Sequence, residues 1–542
     1  MATLIKLSII LFLSAIIFTS CQEVIENDLM NKEFFSEKVT GTENAKQITG
    51  PIFIVEPTGV DDTDNIQAAF DAAVAAGPCS VVEFTAGTFL YSRPIIVANF
   101  DGTFRGAGKD QTIIENLSDS PFPLMDRGPL SGFSGLFCFY NEGTGSSTSI
   151  NISDFTMQVM GESEVFNNHL QPTDIFFTAI NFIGGVSGIK DFAESYANIT
   201  VGNIDIIGQE GPDFIEWLNL EAGIMIRGEP ILEWTENGHL YNYDKPLVGN
   251  IIIRDCKFNT MFVPIFPMVL KDSDVIITGN QIFNAAFGIW LPDFDNSISV
   301  ISNNVFEEIW WIGIFIESAF QSTIGLECGP VTELFPNLPS KFLVHHNELY
   351  LHGIADGVGL VDYGIEFGIA KTMESEITEN LINLENTSYG GIFSFASRDI
   401  LVRENEFRGT ATYAISVFPN NSSWTIHKNQ FETIGWTGIE FYGSDSRIVN
   451  NDYIGYQGWG DPWWNGGGAI VLWEISSENF VAESFDGKPL ICDQVLDLGI
   501  SNNLPGYDVC DHNPNKDILR EKSAEIRVAH EEKMNQFSFI RH

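Results

Sequence analysis

Positive charge is what this sequence has least of. Lys and Arg number 28 against 72 Asp and Glu, a net charge of −44 over 542 residues. A chain this acidic repels DNA, RNA and anionic lipid headgroups, and no Lys/Arg run breaks the average, so nucleic-acid binding is excluded first. A polyanionic ligand needs a local basic cleft or a bridging cation. Cysteine is sparse as well, 7 in all. Cys79, Cys138, Cys256 and Cys328 show no Cys-x-x-Cys spacing and read as small buried hydrophobes rather than metal ligands. Cys492 and Cys510 flank a C-terminal loop and are candidates for a disulfide in an oxidising compartment. The apolar run Leu7 to Phe18 falls short of the ~20 residues that span a bilayer.

Apolar and aromatic residues are plentiful. The hydrophobic share is 44%, with 43 Phe, 11 Trp and 13 Tyr, which excludes global disorder. Lys6 followed by Leu7–Phe18 suits the core of a secretory signal over residues 1–20. The small pair Thr19-Ser20 directly before Cys21 resembles the bacterial lipoprotein cleavage box. That resemblance implies lipid on Cys21, a membrane contact only through that anchor, and an outer-membrane lipoprotein in the periplasm or at the cell surface. Residues 21–50 then form anchor and polar tether.

Length alone suggests three or four domains at ~150 residues each, but internal repeats replace that count. One pattern recurs: a β-branched residue, two mostly polar residues, an anchor, any residue, then an apolar one. Asn is the anchor at Asn280, Asn304, Asn347, Asn380, Asn405, Asn429 and Asn451, with Ile or Val three residues before each. The same frame fits earlier at Phe155, Gly202 and Cys256. Successive spacings are 47, 54, 24, 24, 43, 33, 25, 24 and 22, a base period of about 24 with insertions. A second element follows each anchor by about nine residues, as in GIWL from Gly288, GIFI from Gly313 and GIEF from Gly364. Short β-rich runs with no helix signal between them make one coil per repeat, each strand pairing with its equivalent in the next coil. Stacked Asn side chains are expected to bond along the turn while Ile and Phe fill the interior. A leucine-rich horseshoe shares the period, but its Leu-x-x-Leu-x-Leu frame is absent.

These repeats resemble the pectate-lyase-like superfamily, whose fold is an all-β, single-stranded right-handed parallel β-helix. The N-terminal segment adds to the likeness. Residues 58–70 (TGVDDTDNIQAAF) place Ile66, Ala69, Phe70 and Ala73 on one helical face, with Asp62, Thr63 and Asp64 as cap and first-turn residues. FTAGTF follows, like the superfamily's opening, where a helix covers the first coil. The resemblance spans 51–475; residues 476–542 read as a C-terminal capping segment, with a helix over 515–536. It implies a fold and not a reaction. The Asn-Thr-Asp, Asp-Asp, Gly-His-Gly and Arg-x-Lys set of pectin-hydrolysing β-helices is missing, and so is the pectate-lyase set. No family's catalytic residues carry over.

Alternation in the second element points Ile289, Ile314, Ile365 and their equivalents inward. One outward column then reads Trp290, Phe315, Glu366, Phe393, Ser416, Glu440, Val471. The other holds Glu317, Phe395, Phe418, Tyr442 and Trp473, with Arg227 one stretch earlier. Aromatics among carboxylates suit a sugar ring. Insertions at 159–176, 208–221, 351–363 and 455–467 precede this strand and those at 228–248 and 318–340 follow it, as the walls of a groove. Trp463 sits in one of them. Hydrolysis of a glycosidic bond asks for two carboxylates ~5–9 Å apart. Glu317 and Glu366 form one such pair, with Glu440, Asp356 and Asp362 as further acids. A lyase needs a base and a neutralised uronate carboxyl, for which Arg227, Lys371, Arg398 and Arg403 are available, with Ca²⁺ near Asp293 and Asp295. The cluster His345-His346-x-Glu348 with His352 falls at repeat positions that are simply polar elsewhere. The expectation is an exported polysaccharide- or oligosaccharide-active β-helix (hydrolase, lyase or epimerase), on a neutral glycan or on a uronate polymer with Ca²⁺. A non-catalytic glycan-binding or structural surface protein is the alternative.

Overall fold

The computed structural model describes residues 50–117, 133–141, 147–159, 176–184, 195–209, 222–228, 233–235, 238–240, 246–292, 294–317, 338–351, 363–384, 390–409, 411–432, 437–454, 469–482, 484–485, 488–489 and 495–505. Among the described residues, strands of consecutive coils pair parallel, apart from two short antiparallel pairs, Glu233–Thr235 with Gly238–Leu240 and Ser484–Phe485 with Lys488–Pro489. One helix stands among these strands, α1 (Thr63–Ala76). The chain is an all-β parallel solenoid.

Each coil is built from three runs. The first ends just before the anchor, as in Asp274–Thr278, Ile298–Ser302 and Lys341–His345. Its inward residue aligns from coil to coil as Ile277, Ile301, Val344, Ile377, Val402, Ile426 and Ile448, all fully buried. The turn that follows has a fixed backbone form. Asn303, His346, Glu379, Glu404, Lys428 and Asn450 precede their anchors with φ between 55 and 58°. That left-handed conformation costs a non-glycine residue ~1–2 kcal/mol. The ladder beside it supplies the compensation. Asn280 Nδ2 donates to Asn304 Oδ1 at 2.9 Å, and the same bond repeats through Asn347, Asn380, Asn405 and Asn429 to Asn451 at 2.9–3.0 Å. Each Oδ1 also accepts the backbone N–H of the preceding anchor, and each Nδ2 also donates to a carbonyl of the preceding coil.

Two expectations need correction. The anchor of the early coil is Ile204, not Gly202: Ile204 aligns with Phe155, and the left-handed residue before it is Asn203. Both frames offer a β-branched residue three positions earlier, Ile199 or Val201, and no Asn is present to choose between them. At α1, Asp62 stands at the N-cap position and its carbonyl accepts the Ile66 N–H at 2.9 Å, but its side chain makes no cap bond. Its carboxylate instead takes Thr58 N–H and Oγ1–H at 2.7 Å and Leu90 N–H at 2.9 Å, tying the turn to the sheet. Asp61 accepts the Thr63 N–H at 3.0 Å in its place. The apolar face is as expected: Ile66, Phe70 and Ala73 are buried, and Phe70 meets Phe100 and Phe104 edge-on at 5.4 and 5.3 Å.

The second run follows the anchor and bends into the third. In Gln281–Pro292 and Val305–Glu317 the two are continuous, with register shifts at the bend and left-handed Asn284 and Glu308. Strict alternation fails there. Gly288 and Ile289 both face the interior. A Cβ on Gly288 would lie 2.5 Å from the Phe306 ring, and one on Gly313 would lie 2.6 Å from Leu349 Cδ2. Glycine at these positions lets the third run close down on the second. As a result Phe287, Ile312, Tyr363 and Tyr413 turn outward and form a third outer column that simple alternation misses.

Candidate functional site

The outward face of the third run carries the chemistry-bearing residues. Its middle column is continuous in the register: Trp290, Phe315, Glu366, Phe393, Ser416, Glu440 and Val471 stand one above another. Arg227, Met268, Pro292 and Glu317 belong to the neighbouring column, which continues beside Gly368 to Phe395 and Phe418. Tyr442 and Trp473 complete it, their rings stacked at 5.5 Å.

This face is closed rather than an open groove. Aromatic rings at coil spacing lie on one another: Phe266 on Trp290 at 4.7 Å, Trp290 on Phe315 at 5.6 Å and Tyr363 on Phe393 at 4.5 Å. They form an apolar cluster outside the solenoid, with Trp290, Phe395 and Phe418 only partly covered. Three carboxylates are buried on the same face, Glu440 beside a second cluster that holds Tyr442 and Trp473. Glu317 and Glu366 are 4% exposed and Glu440 is 1% exposed.

Glu317 and Glu366 sit on adjacent coils, two residues apart along the strand, because Glu366 aligns with Phe315. With ~4.8 Å between strands and ~6.6 Å per two residues, their backbones are about 8 Å apart on the diagonal. The position level with Glu317 is Gly368. A Cβ there would lie 3.3 Å from Glu317 Oε1 and 3.3 Å from the Phe315 ring.

Glu440 is three coils beyond Glu366 in the same column, ~14 Å along the axis. Ser416 Oγ donates to its Oε2 at 2.8 Å, and Trp473 Nε1 and Tyr442 OH donate to Oε1 at 2.9 and 3.2 Å. Burial pushes its pKa up to about 7 against the lowering effect of these three donors. Tyr413 is raised well above its ordinary value, by burial and then by the nearby Glu440 charge. The sequence placed Tyr442 and Trp473 as sugar platforms; in the structure their polar atoms hold Glu440.

The other candidates are dispersed. Arg227 is three coils from Glu317 in the same column, between Ile183 and Met268. Arg398 and Arg403 lie on the first run, near Asp399 and Glu404. Asp295 accepts the Leu338 N–H at 2.6 Å at a corner, and burial lowers the Lys371 pKa. His345 and His346 bond to each other at 2.9 Å beside the Asn ladder, and His346 meets Glu379 at 2.7 Å. Among the described residues no three His, Cys, Asp or Glu converge as a metal site. Asp293, Asp356, Asp362, His352, Trp463, Cys21, Cys328, Cys492 and Cys510 lie outside the described residues, as do most of the insertions. Cys138 and Cys256 are buried, as expected of small hydrophobes, but Cys79 is exposed: it occupies a left-handed turn position (φ 64°) before the strand and does not join the core.

Fold and face together define a parallel β-helix. Residues 361–485 match a protein-family model for the right-handed β-helix region. The likeness to the pectate-lyase-like superfamily therefore holds at the level of architecture. No curated protein matches the sequence. Among solved structures, the chain is similar to the A-module of an Azotobacter vinelandii mannuronan C-5 epimerase, at 14% identity over 83% of this chain and 95% of that one, with a TM-score of 0.40. It is similar to DFA-IIIase from Arthrobacter chlorophenolicus at 12% identity, over 83% and 96%, with a TM-score of 0.44. It is also similar to PfbA, a surface adhesin of Streptococcus pneumoniae, at 10% identity, over 84% and 92%, with a TM-score of 0.33. None of these likenesses bears on what this chain does.

Proposed function

We propose that the protein is an exported, lipid-anchored enzyme that cleaves a polysaccharide lying along the outward face of the third run. Glu317 and Glu366 act as its carboxylate pair. The observation that carries this reading is the diagonal placement of two buried acids on adjacent coils of one outward face, their backbones about 8 Å apart, a spacing from which both side chains can approach one glycosidic bond. Two acids buried on one aromatic face are a placement typical of working sites. Phe315 and Phe393 flank Glu366 in the column, and the partly covered rings of Trp290, Phe395 and Phe418 supply apolar surface for the faces of a sugar ring. Glu440, at ~14 Å, is too far to share the same bond.

The test is release of reducing ends from neutral and uronate glycans, with and without Ca²⁺. Glu366→Gln and Glu317→Gln should each lower turnover by at least ~10²-fold with the fold intact. Full turnover in either variant removes that residue from the chemistry. The partly covered rings of Trp290, Phe395 and Phe418 favour a second reading, a glycan-binding surface without catalysis. Binding without any product from the wild-type chain would select it.

A further inference from the structure

The outward face has a second feature, remote from the carboxylates. On the strand Phe176–Ile183, Thr178 aligns with Ala222, and Asn181 stands between Cys138 and Met225 at the start of the column that leads to Glu366. Both side chains are 0% exposed. Thr178 Oγ1, Asn181 Oδ1 and Asn181 Nδ2 have no hydrogen-bond partner. Three coils on, in the same column, the buried indole Nε1 of Trp290 is also unpaired. Buried polar groups are almost always satisfied, so a row of orphans on one face calls for the partner that satisfies them.

The demand of this row is specific. Asn181 needs both a donor and an acceptor, Thr178 can use either, and Trp290 needs an acceptor. Carboxylates and phosphates only accept, and would leave Asn181 Oδ1 unpaired. A hydroxyl both donates and accepts, and serves all three. Met225 and Phe266, between Asn181 and Trp290 in the column, offer apolar surface to the C–H faces that accompany hydroxyls on a sugar ring. Asn181 lies five coil steps from Glu366, about 24 Å at ~4.8 Å per step. A disaccharide does not span that distance.

We propose that Thr178, Asn181 and Trp290 form a distal subsite that takes the hydroxyl groups of a sugar chain running from Glu366 toward the N-terminal coils, so that the ligand is an oligosaccharide or polymer rather than a small sugar. This deepens the glycan reading above and rests on it.

The experiment uses isosteric variants, Asn181→Leu and Thr178→Val, in the full chain carrying Glu366→Gln so that no turnover intervenes. Thermal unfolding is measured first, then binding of cellohexaose, xylohexaose and hexagalacturonate by calorimetry, with the matching disaccharides as controls. Replacing an unsatisfied buried group by an apolar one of the same shape stabilises the free protein. Both variants should therefore raise Tm while weakening hexasaccharide binding by at least about tenfold and leaving disaccharide binding unchanged. A fall in Tm in both variants would mean that the groups already have partners, and would overturn the subsite. Unchanged hexasaccharide affinity would overturn it too, leaving the glycan reading intact. Binding of none of these sugars by the parent chain would bring down the glycan reading and the subsite with it.

Discussion

Glu440 shows how much of a residue's behaviour lies outside its own stretch of sequence. Alternation around Ile439 placed it on the outer face, and it is there. Its environment was not legible, because Ser416 and Trp473 reach it from 24 and 33 residues away, and only the coil register brings them together. The consequence is a pH dependence with a definite sign. Its folded pKa is raised to about 7 from an ordinary 4.5. Below 4.5 the group is protonated in both folded and unfolded chains, and its contribution to stability is fully present. Between 4.5 and 7 the unfolded chain ionises first, so that contribution is lost as pH rises, and above 7 the buried charge carries its whole cost. Glu440→Gln removes the cost. Chemical denaturation should show the variant equal to wild type near pH 4 and more stable at pH 8 by about 3 kcal/mol. Equal stability at both pH values would mean that the three donors fully offset the desolvation.

At the scale of the element, the Asn ladder is the part most fully written in the sequence. Seven anchors with Ile or Val three positions earlier predicted both the turn and the bonding along it, because each anchor must answer a donor above and a carbonyl below. Asn380 is a central rung. Its Nδ2 donates to Val344 O at 2.9 Å and to Asn405 Oδ1 at 2.9 Å, and its Oδ1 accepts from Asn347. Asn380→Leu leaves the Asn347 N–H without its acceptor and removes the bonds to Val344 O and Asn405 Oδ1. It should destabilise the protein by about 2–4 kcal/mol in urea unfolding. A loss below ~0.5 kcal/mol would mean that water enters the turn and replaces the rung. A second corner was not legible. There Ser273 N–H donates to Ser297 Oγ and Ser297 N–H to Ser340 Oγ, each at 3.1 Å, and farther along Ser446 and Asn479 N–H groups donate to Asn479 and Asn502 Oδ1 at 3.0 Å. The residue type changes along this ladder while the bond does not, so no single letter repeats. The third outer column was missed for a different reason. Two successive inward residues, Gly-Ile or Ala-Ile, break the two-residue period, and only the contact of that small residue with the second run reveals it.

Across the whole molecule, period and composition were sufficient for architecture and insufficient for the site. A base period of about 24 with β-rich runs admits few folds, and the parallel solenoid follows from stacking alone. The outer face repeats no residue type from coil to coil, so the period alone does not say how its rings and carboxylates meet. Net charge, by contrast, acts at this scale and carries a prediction. At −44 the chain is repelled by anionic headgroups, so electrostatic adhesion cannot hold it to a bacterial membrane. On the proposed reading, attachment comes from lipid on Cys21. One acyl chain binds only marginally and reversibly, so a stable anchor needs more than one. The two modes respond oppositely to salt. Screening at 1 M NaCl, where the Debye length is ~3 Å, releases a protein held by charge and leaves a lipid-anchored one in place. The native chain, expressed in a Gram-negative host, should therefore stay with the membrane fraction through a 1 M NaCl wash and incorporate labelled palmitate. Cys21→Ser should lose the label and appear in the soluble exported fraction with its β-helix folded. A Cys21→Ser chain that remains membrane-bound would show that Leu7–Phe18 is retained as the anchor, and would overturn the lipid reading while leaving export in place.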